Sequence, residues 1–72
     1  MGVRLTVNGE ARDSEAATLF DLWRLEAEAL EVDGPQGFAM ALNGAVVRKA
    51  AWEATPVREG DRVEIIRAMQ GG

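Results

Sequence analysis

The sequence predicts an α+β domain, a mixed sheet of about five strands with one helix packed on one face. Three observations carry that prediction. Short runs alternate apolar with polar or small residues at Val3 to Val7, Phe38 to Leu42 and Val63 to Ala68, which is the period of a half-buried strand. Apolar residues fall at helical spacing once, between Leu19 and Leu30. Two Asn-Gly pairs, Asn8-Gly9 and Asn43-Gly44, each follow an alternating run, and a type I′ hairpin favours that pair because it needs positive φ at both central positions.

Taken in order, Val3, Leu5 and Val7 point one way and Arg4 and Thr6 the other, so the first strand turns an apolar face to the core. Met1 to Thr6 also fits a myristoylation pattern, but a fatty chain would crowd the start of that strand. After the Asn8-Gly9 turn, Glu10 to Asp13 returns as a short polar strand, and Ser14 to Ala17 is a link. Thr18 with Asp21 three residues on resembles a capping box, with an acid in the first turn to suit the helix dipole. The helix runs from Leu19 to about Leu30, with Leu19, Leu22, Trp23, Ala27 and Leu30 on its core face and Arg24, Glu28 and Glu31 away from it. Gly34-Pro35-Gln36-Gly37 ends it in a loop.

Phe38, Met40 and Leu42 give the third strand a bulky core face, and Ala39 and Ala41 give it a flat outer face that a partner can approach. Asn43-Gly44 leads into a short strand, Ala45 to Val47. Arg48 to Pro56 reads as a longer link without a clear period, in which Trp52 plugs the core edge. Arg58-Glu59-Gly60-Asp61 supplies a turn into the last strand, Val63 to Ala68. Val63 and Ile65 fit its core face, which leaves Glu64 and Ile66 outward beside Ala39 and Ala41. Those four residues are the candidate partner-binding patch.

Composition narrows the function. Seventy-two residues make one small domain, of a size that buries only about 60% of the surface its unfolded chain exposes. The absence of cysteine and histidine removes disulfides, thiol nucleophiles and imidazole bases, so neither a catalytic site of its own nor a metal site is expected. Twelve acidic residues against eight basic ones give a net charge of -4, which argues against nucleic acid or an anionic membrane as partner. No apolar run approaches the roughly 18 residues that span a bilayer, and no apolar signal segment opens the chain. The expected location is cytoplasmic and the expected partners are proteins.

The remaining chemistry lies at the end, in Met69-Gln70-Gly71-Gly72. Residues 1–68 are read as the domain and 69–72 as a flexible tail. Two consecutive glycines carry no Cβ, so the tail can thread a narrow slot and the Gly72 carboxylate can be approached from either face. A carboxylate is a poor electrophile, whereas its mixed anhydride with AMP is an acyl donor to a thiol, a persulfide or an amine. That activation must come from another enzyme. Terminal glycines are also common in frayed ends, and the rest of the chain has to decide between the two readings.

The order strand, strand, helix, strand, strand, strand, with the final strand running into Gly-Gly, is that of the ubiquitin-like β-grasp fold. More closely, the chain resembles the ThiS-type sulfur carriers of thiamine biosynthesis through Ala41-Leu42-Asn43, Val46-Val47, Trp52, Gly60-Asp61 and Gly71-Gly72. It departs from them in having Arg48-Lys49 where the family commonly has Pro then Arg. The resemblance implies a carrier and not a catalyst. It implies that an E1-like adenylating enzyme uses ATP and magnesium to activate Gly72, with no cofactor bound by the carrier. A cysteine desulfurase or persulfide carrier then supplies sulfur to form a C-terminal thiocarboxylate, and thiazole synthase accepts it. The alternatives are the small subunit of molybdopterin synthase, with the same thiocarboxylate chemistry, and a β-grasp interaction module or modifier that carries no sulfur.

Overall fold

In the computed structural model of the chain, residues 2–30 and 37–67 are described, residues 29 and 30 by their backbone alone. The elements are β1 (Val3–Val7), β2 (Glu10–Ser14), α1 (Leu19–Leu30), β3 (Phe38–Leu42), β4 (Ala45–Val47), a 3-10 helix (Lys49–Ala54) and β5 (Arg62–Arg67). The five strands form one mixed sheet in the order β2-β1-β5-β3-β4. The last strand of the sequence thus lies in the middle of the sheet, parallel to β1 and antiparallel to β3. This is the β-grasp arrangement anticipated from the sequence.

Both hairpins turn as their sequences require. Asn8 and Gly9 have φ of 52° and 83°, and Asn43 and Gly44 have φ of 51° and 88°, the left-handed pair that a type I′ turn needs. A two-residue turn fixes the register on each side, pairing Val7 with Glu10 and Leu42 with Ala45. The strands are slightly displaced from their expected limits. β2 runs one residue further, to Ser14, and β5 starts one residue earlier, at Arg62.

Helix α1 begins and ends where its pattern placed it. Thr18 Oγ1 accepts from the Asp21 amide at 3.2 Å, and Asp21 reaches back to the amide of Ala17 at 3.3 Å. The acid therefore caps one residue earlier than in a standard capping box, which it would close on the amide of Thr18. Leu19, Leu22, Trp23 and Ala27 are buried against Leu5, Val7, Met40 and Val63 from the sheet. Leu30, Glu31 and Gly34 to Gln36 lie outside the described side chains or residues.

The segment expected as an irregular link is instead a 3-10 helix from Lys49 to Ala54. It closes the open end of the core with Trp52, which is 1% exposed. The Trp52 Nε1–H donates to the Val47 carbonyl at 2.9 Å, and its ring lies 6.2 Å from that of Trp23. Burying the whole indole needs a partner for its one polar atom, and the end of β4 supplies it. On either side of α1's start, Leu19 N–H donates to Thr55 O at 2.9 Å and Val57 N–H to Ala17 O at 3.0 Å. Those bonds draw Ala16 and Val57 into the core, two residues that the strand and helix periods had not assigned to it.

Candidate functional site

The site is built on β5 and the sheet surface around it. In β5, Val63 is buried and Ile65 packs against the core, while Glu64 and Ile66 face outward, as the alternation predicted. The register sets Ala41 beside Glu64 and Ala39 beside Ile66 on one flank, and Val46 beside Ala41 on the other. Ile66 is 47% exposed and Val46 73%. The outer face therefore has an apolar corner of Ile66, Ala39 and Val46, continued on the β1 side by charged and polar groups such as Arg62, Thr6 and the loosely paired Arg4 and Asp13, 3.9 Å apart.

One candidate is corrected. Ala41 was expected in the open with Ala39, but it is only 5% exposed. β3 lies between β5 and β4, and a methyl group flanked by the longer side chains of Glu64 and Val46 sits below their rims. Ala41 thus sets the depth of the surface without offering contact area of its own. Val46 takes its place as the exposed apolar residue, and the sequence contained the signal for it. Once Asn43-Gly44 fixes Leu42 opposite Ala45, Val46 must stand outward beside Ala41.

The strand itself is held on both flanks by the two hairpin asparagines. Asn43 Oδ1 accepts from the Arg62 amide at 2.8 Å and its Nδ2 donates to Asp61 at 3.1 Å. Asn8 Oδ1 accepts from the Ile65 amide at 2.8 Å. Each side chain mimics one rung of a strand ladder where the neighbouring strand turns away. The sequence marks these asparagines as turn formers only, since all three bonds reach residues far along the chain.

On the core side, Arg67 lays its guanidinium 5.6 Å from the centroid of the Phe38 ring, a cation–π contact on the last described residue. Nearby, Arg12 of β2 pairs with Glu26 of α1 and with Glu10. The hydrogen bond and charge of Glu26, with Glu10 adding, raise the Arg12 guanidinium further above its ordinary range, so it stays charged. The tail candidates Met69, Gln70, Gly71 and Gly72 lie outside the described residues. Among the described residues, no group of three or more acidic, histidine or cysteine side chains could hold a metal, and no helix is long and apolar enough to cross a membrane.

Comparison with known proteins agrees with this architecture. The model of the ThiS family matches residues 3–72. The crystal structure of the thiamine biosynthesis protein (ThiS) from Geobacter metallireducens is 34% identical, with 97% of this chain and 100% of that chain covered and a TM-score of 0.73. A solution NMR structure of a thiamine biosynthesis protein from Geobacter metallireducens is also 34% identical, with 97% and 88% covered and a TM-score of 0.68. The complex of subunits 1 and 2 of the molybdopterin-converting factor from Helicobacter pylori shares the fold, at 24% identity over 100% of both chains and a TM-score of 0.52. No curated protein sequence matches. With 70 of its 72 residues under the family model, the chain belongs to the ThiS family.

Proposed function

We propose that this chain is a sulfur carrier whose Gly72 carboxylate is adenylated by an E1-like enzyme using ATP and magnesium, and is then converted to a thiocarboxylate that gives up its sulfur for thiazole formation. The observation that carries the reading is the family match, whose range of residues 3–72 includes β5 and Gly72. The chemistry fits the composition. The chain has no thiol to attack its own activated terminus and a single lysine, Lys49, to compete as an amine.

In this reading the folded part is a handle and the chain is a co-substrate of other enzymes. Residues 69–72 act as the tail. Ile66, Ala39 and Val46 form the apolar surface that the adenylating enzyme covers, with Glu64 at its margin. A cysteine desulfurase or persulfide carrier delivers the sulfur as a persulfide that displaces AMP. A second thiol then reduces the resulting acyl disulfide to the thiocarboxylate and is itself oxidised to a disulfide, and thiazole synthase receives the sulfur. The likeness to the molybdopterin-converting factor is one of fold alone, so family membership favours the thiamine branch.

The test is intact-mass measurement after incubation with the adenylating enzyme, ATP, magnesium and a sulfur source. The expected product has one oxygen of Gly72 replaced by sulfur, and deleting Gly72 or adding residues after it abolishes that product. Normal sulfur loading of an extended terminus would overturn the reading. Adducts of higher mass on other proteins would instead indicate a modifier.

A further inference from the structure

Backbone groups of β5 point alternately to its two neighbours, and the hydrogen bonds show which residues face which. Odd-numbered residues face β1: Thr6 N–H donates to Asp61 O at 3.0 Å and Asn8 N–H to Val63 O at 2.9 Å. Even-numbered residues face β3: Asn43 N–H donates to Arg62 O at 2.7 Å. Pairing with β1 ends at Val7 with Val63, because the chain turns away at Asn8-Gly9. The Asn8 side chain adds one more rung by accepting from Ile65 N–H. Beyond it β5 continues, paired on the other flank through Ala39 with Ile66 and Phe38 with Arg67. The Ile65 carbonyl and the Arg67 amide therefore point to a flank where no described strand lies.

The central strand of the sheet thus becomes an edge strand in its second half. A cleft beside that edge is lined by Asn8, Arg12, Glu26, Phe38, Ile65 and Arg67. Edges are ordinarily blunted by proline, bulges or inward charges, and an edge without such a device is a template for another strand. This edge, Ile65-Ile66-Arg67, has no proline; the Arg67 charge is drawn over the Phe38 ring, and the Arg12 and Glu26 charges that line the cleft pair with each other.

We propose that this half of β5 is a strand-addition site that takes an extended segment of the enzyme acting on Gly72, the Arg67 amide donating to that segment and the Ile65 carbonyl accepting from it. The inference rests on the carrier reading. The identity of the occupant follows from sequence continuity. Gly72 is the fifth residue after Arg67, a reach of at most about 18 Å at the extended rise per residue, so an enzyme that holds Gly72 in its active site stands beside this edge. Main-chain pairing also fixes the direction of a chain without reading its side chains. That suits a tail whose last two residues have none.

The test compares Arg67→Pro with Arg67→Ala. Proline removes an amide hydrogen that has no acceptor among the described residues, so the two variants should melt together. With the adenylating enzyme and ATP, Arg67→Pro should raise the KM for carrier at least about tenfold above Arg67→Ala, from one lost hydrogen bond and the clash of the ring with the added strand. If Arg67→Pro melts earlier, a synthetic chain with an ester in place of the Ile66–Arg67 amide removes the same hydrogen without the ring, and should raise KM about threefold or more. Amide exchange gives an independent readout: in the free protein the Ile66 amide should exchange slowly and the Arg67 amide fast, and the enzyme should slow Arg67 at least tenfold. Equal KM for Arg67→Pro and Arg67→Ala, or for the ester chain and the parent where the ester is used, would overturn strand addition while leaving the carrier reading intact. Self-association of the parent that Arg67→Pro abolishes would reassign the occupant to a second copy of the chain and overturn the proposal as stated. Failure of the parent itself to be adenylated would overturn the carrier reading, and the assigned occupant with it.

Discussion

At the scale of single residues, Trp52 carries the most risk for the fold. Its indole is enclosed by the core, touches Trp23 and gives its only donor to Val47. Trp52→Ala should destabilise the domain by about 3–5 kcal/mol, much of the roughly 5–15 kcal/mol available to a protein in total. Urea melts of the two proteins measure this directly, and a loss under ~1 kcal/mol would mean that the ring does not support the core. Trp52→Phe keeps an aromatic ring but strands the Val47 carbonyl, and should cost an intermediate ~1–3 kcal/mol. Ala41 shows the opposite case, a small residue that is buried by its neighbours' side chains and not by the core.

At the scale of elements, β5 separates folding from function by its two faces. Val63 and Ile65 face the core, whereas Ile66 is partly open beside Ala39. Ile66→Asp should therefore leave the melt within about 0.5 kcal/mol. If the adenylating enzyme covers this corner, the same change buries an unpaired carboxylate and should cost at least ~2 kcal/mol of binding, a factor of roughly thirty. The rate of adenylation against carrier concentration reads that loss. Stability and activity falling together would show that Ile66 supports the fold, and neither changing would mean that the enzyme grips the tail alone. Helix α1 offers a purely structural comparison, since the Thr18 hydroxyl serves as its cap. Thr18→Ala should cost ~0.5–2 kcal/mol in the melt and leave the KM for carrier unchanged.

At the scale of the whole molecule, the domain is closed by ties between segments distant in sequence: Ala17 with Val57, Leu19 with Thr55, and Asn8 with Ile65. None of these involves residues 69–72. Deleting Gly71 and Gly72 should accordingly shift the free energy of unfolding by less than about 0.5 kcal/mol while abolishing sulfur loading. A thermal melt beside the intact-mass assay tests the two halves of that statement. A loss of 1 kcal/mol would lower the midpoint of a domain of this size by roughly 4–8 °C, so an effect of the tail on the fold would be visible.

The elements themselves were legible in the sequence because each rests on local chemistry. Asn8-Gly9 and Asn43-Gly44 need only their own positive φ to turn, and the helix from Leu19 to Leu30 shows its buried face in its spacing. The inward and outward faces of β5 followed from alternation in the same way. Other features depended on segments that are neighbours only in space. Lys49 to Ala54 was read as a link because a 3-10 helix of six residues leaves too short a period to recognise, and it is held in place by Trp52 reaching Val47. The burial of Ala41 required knowing which strands flank β3. The half-open edge of β5 required knowing that β1 runs parallel beside it and turns away first. Sequence alone determined where the five strands and the long helix form and which faces of β1, α1 and β5 turn to the core, because those choices are made within a few residues. The tertiary structure alone decided what lies beside the strand leading to Gly72, because strand order is set by where the chain returns and not by any local pattern.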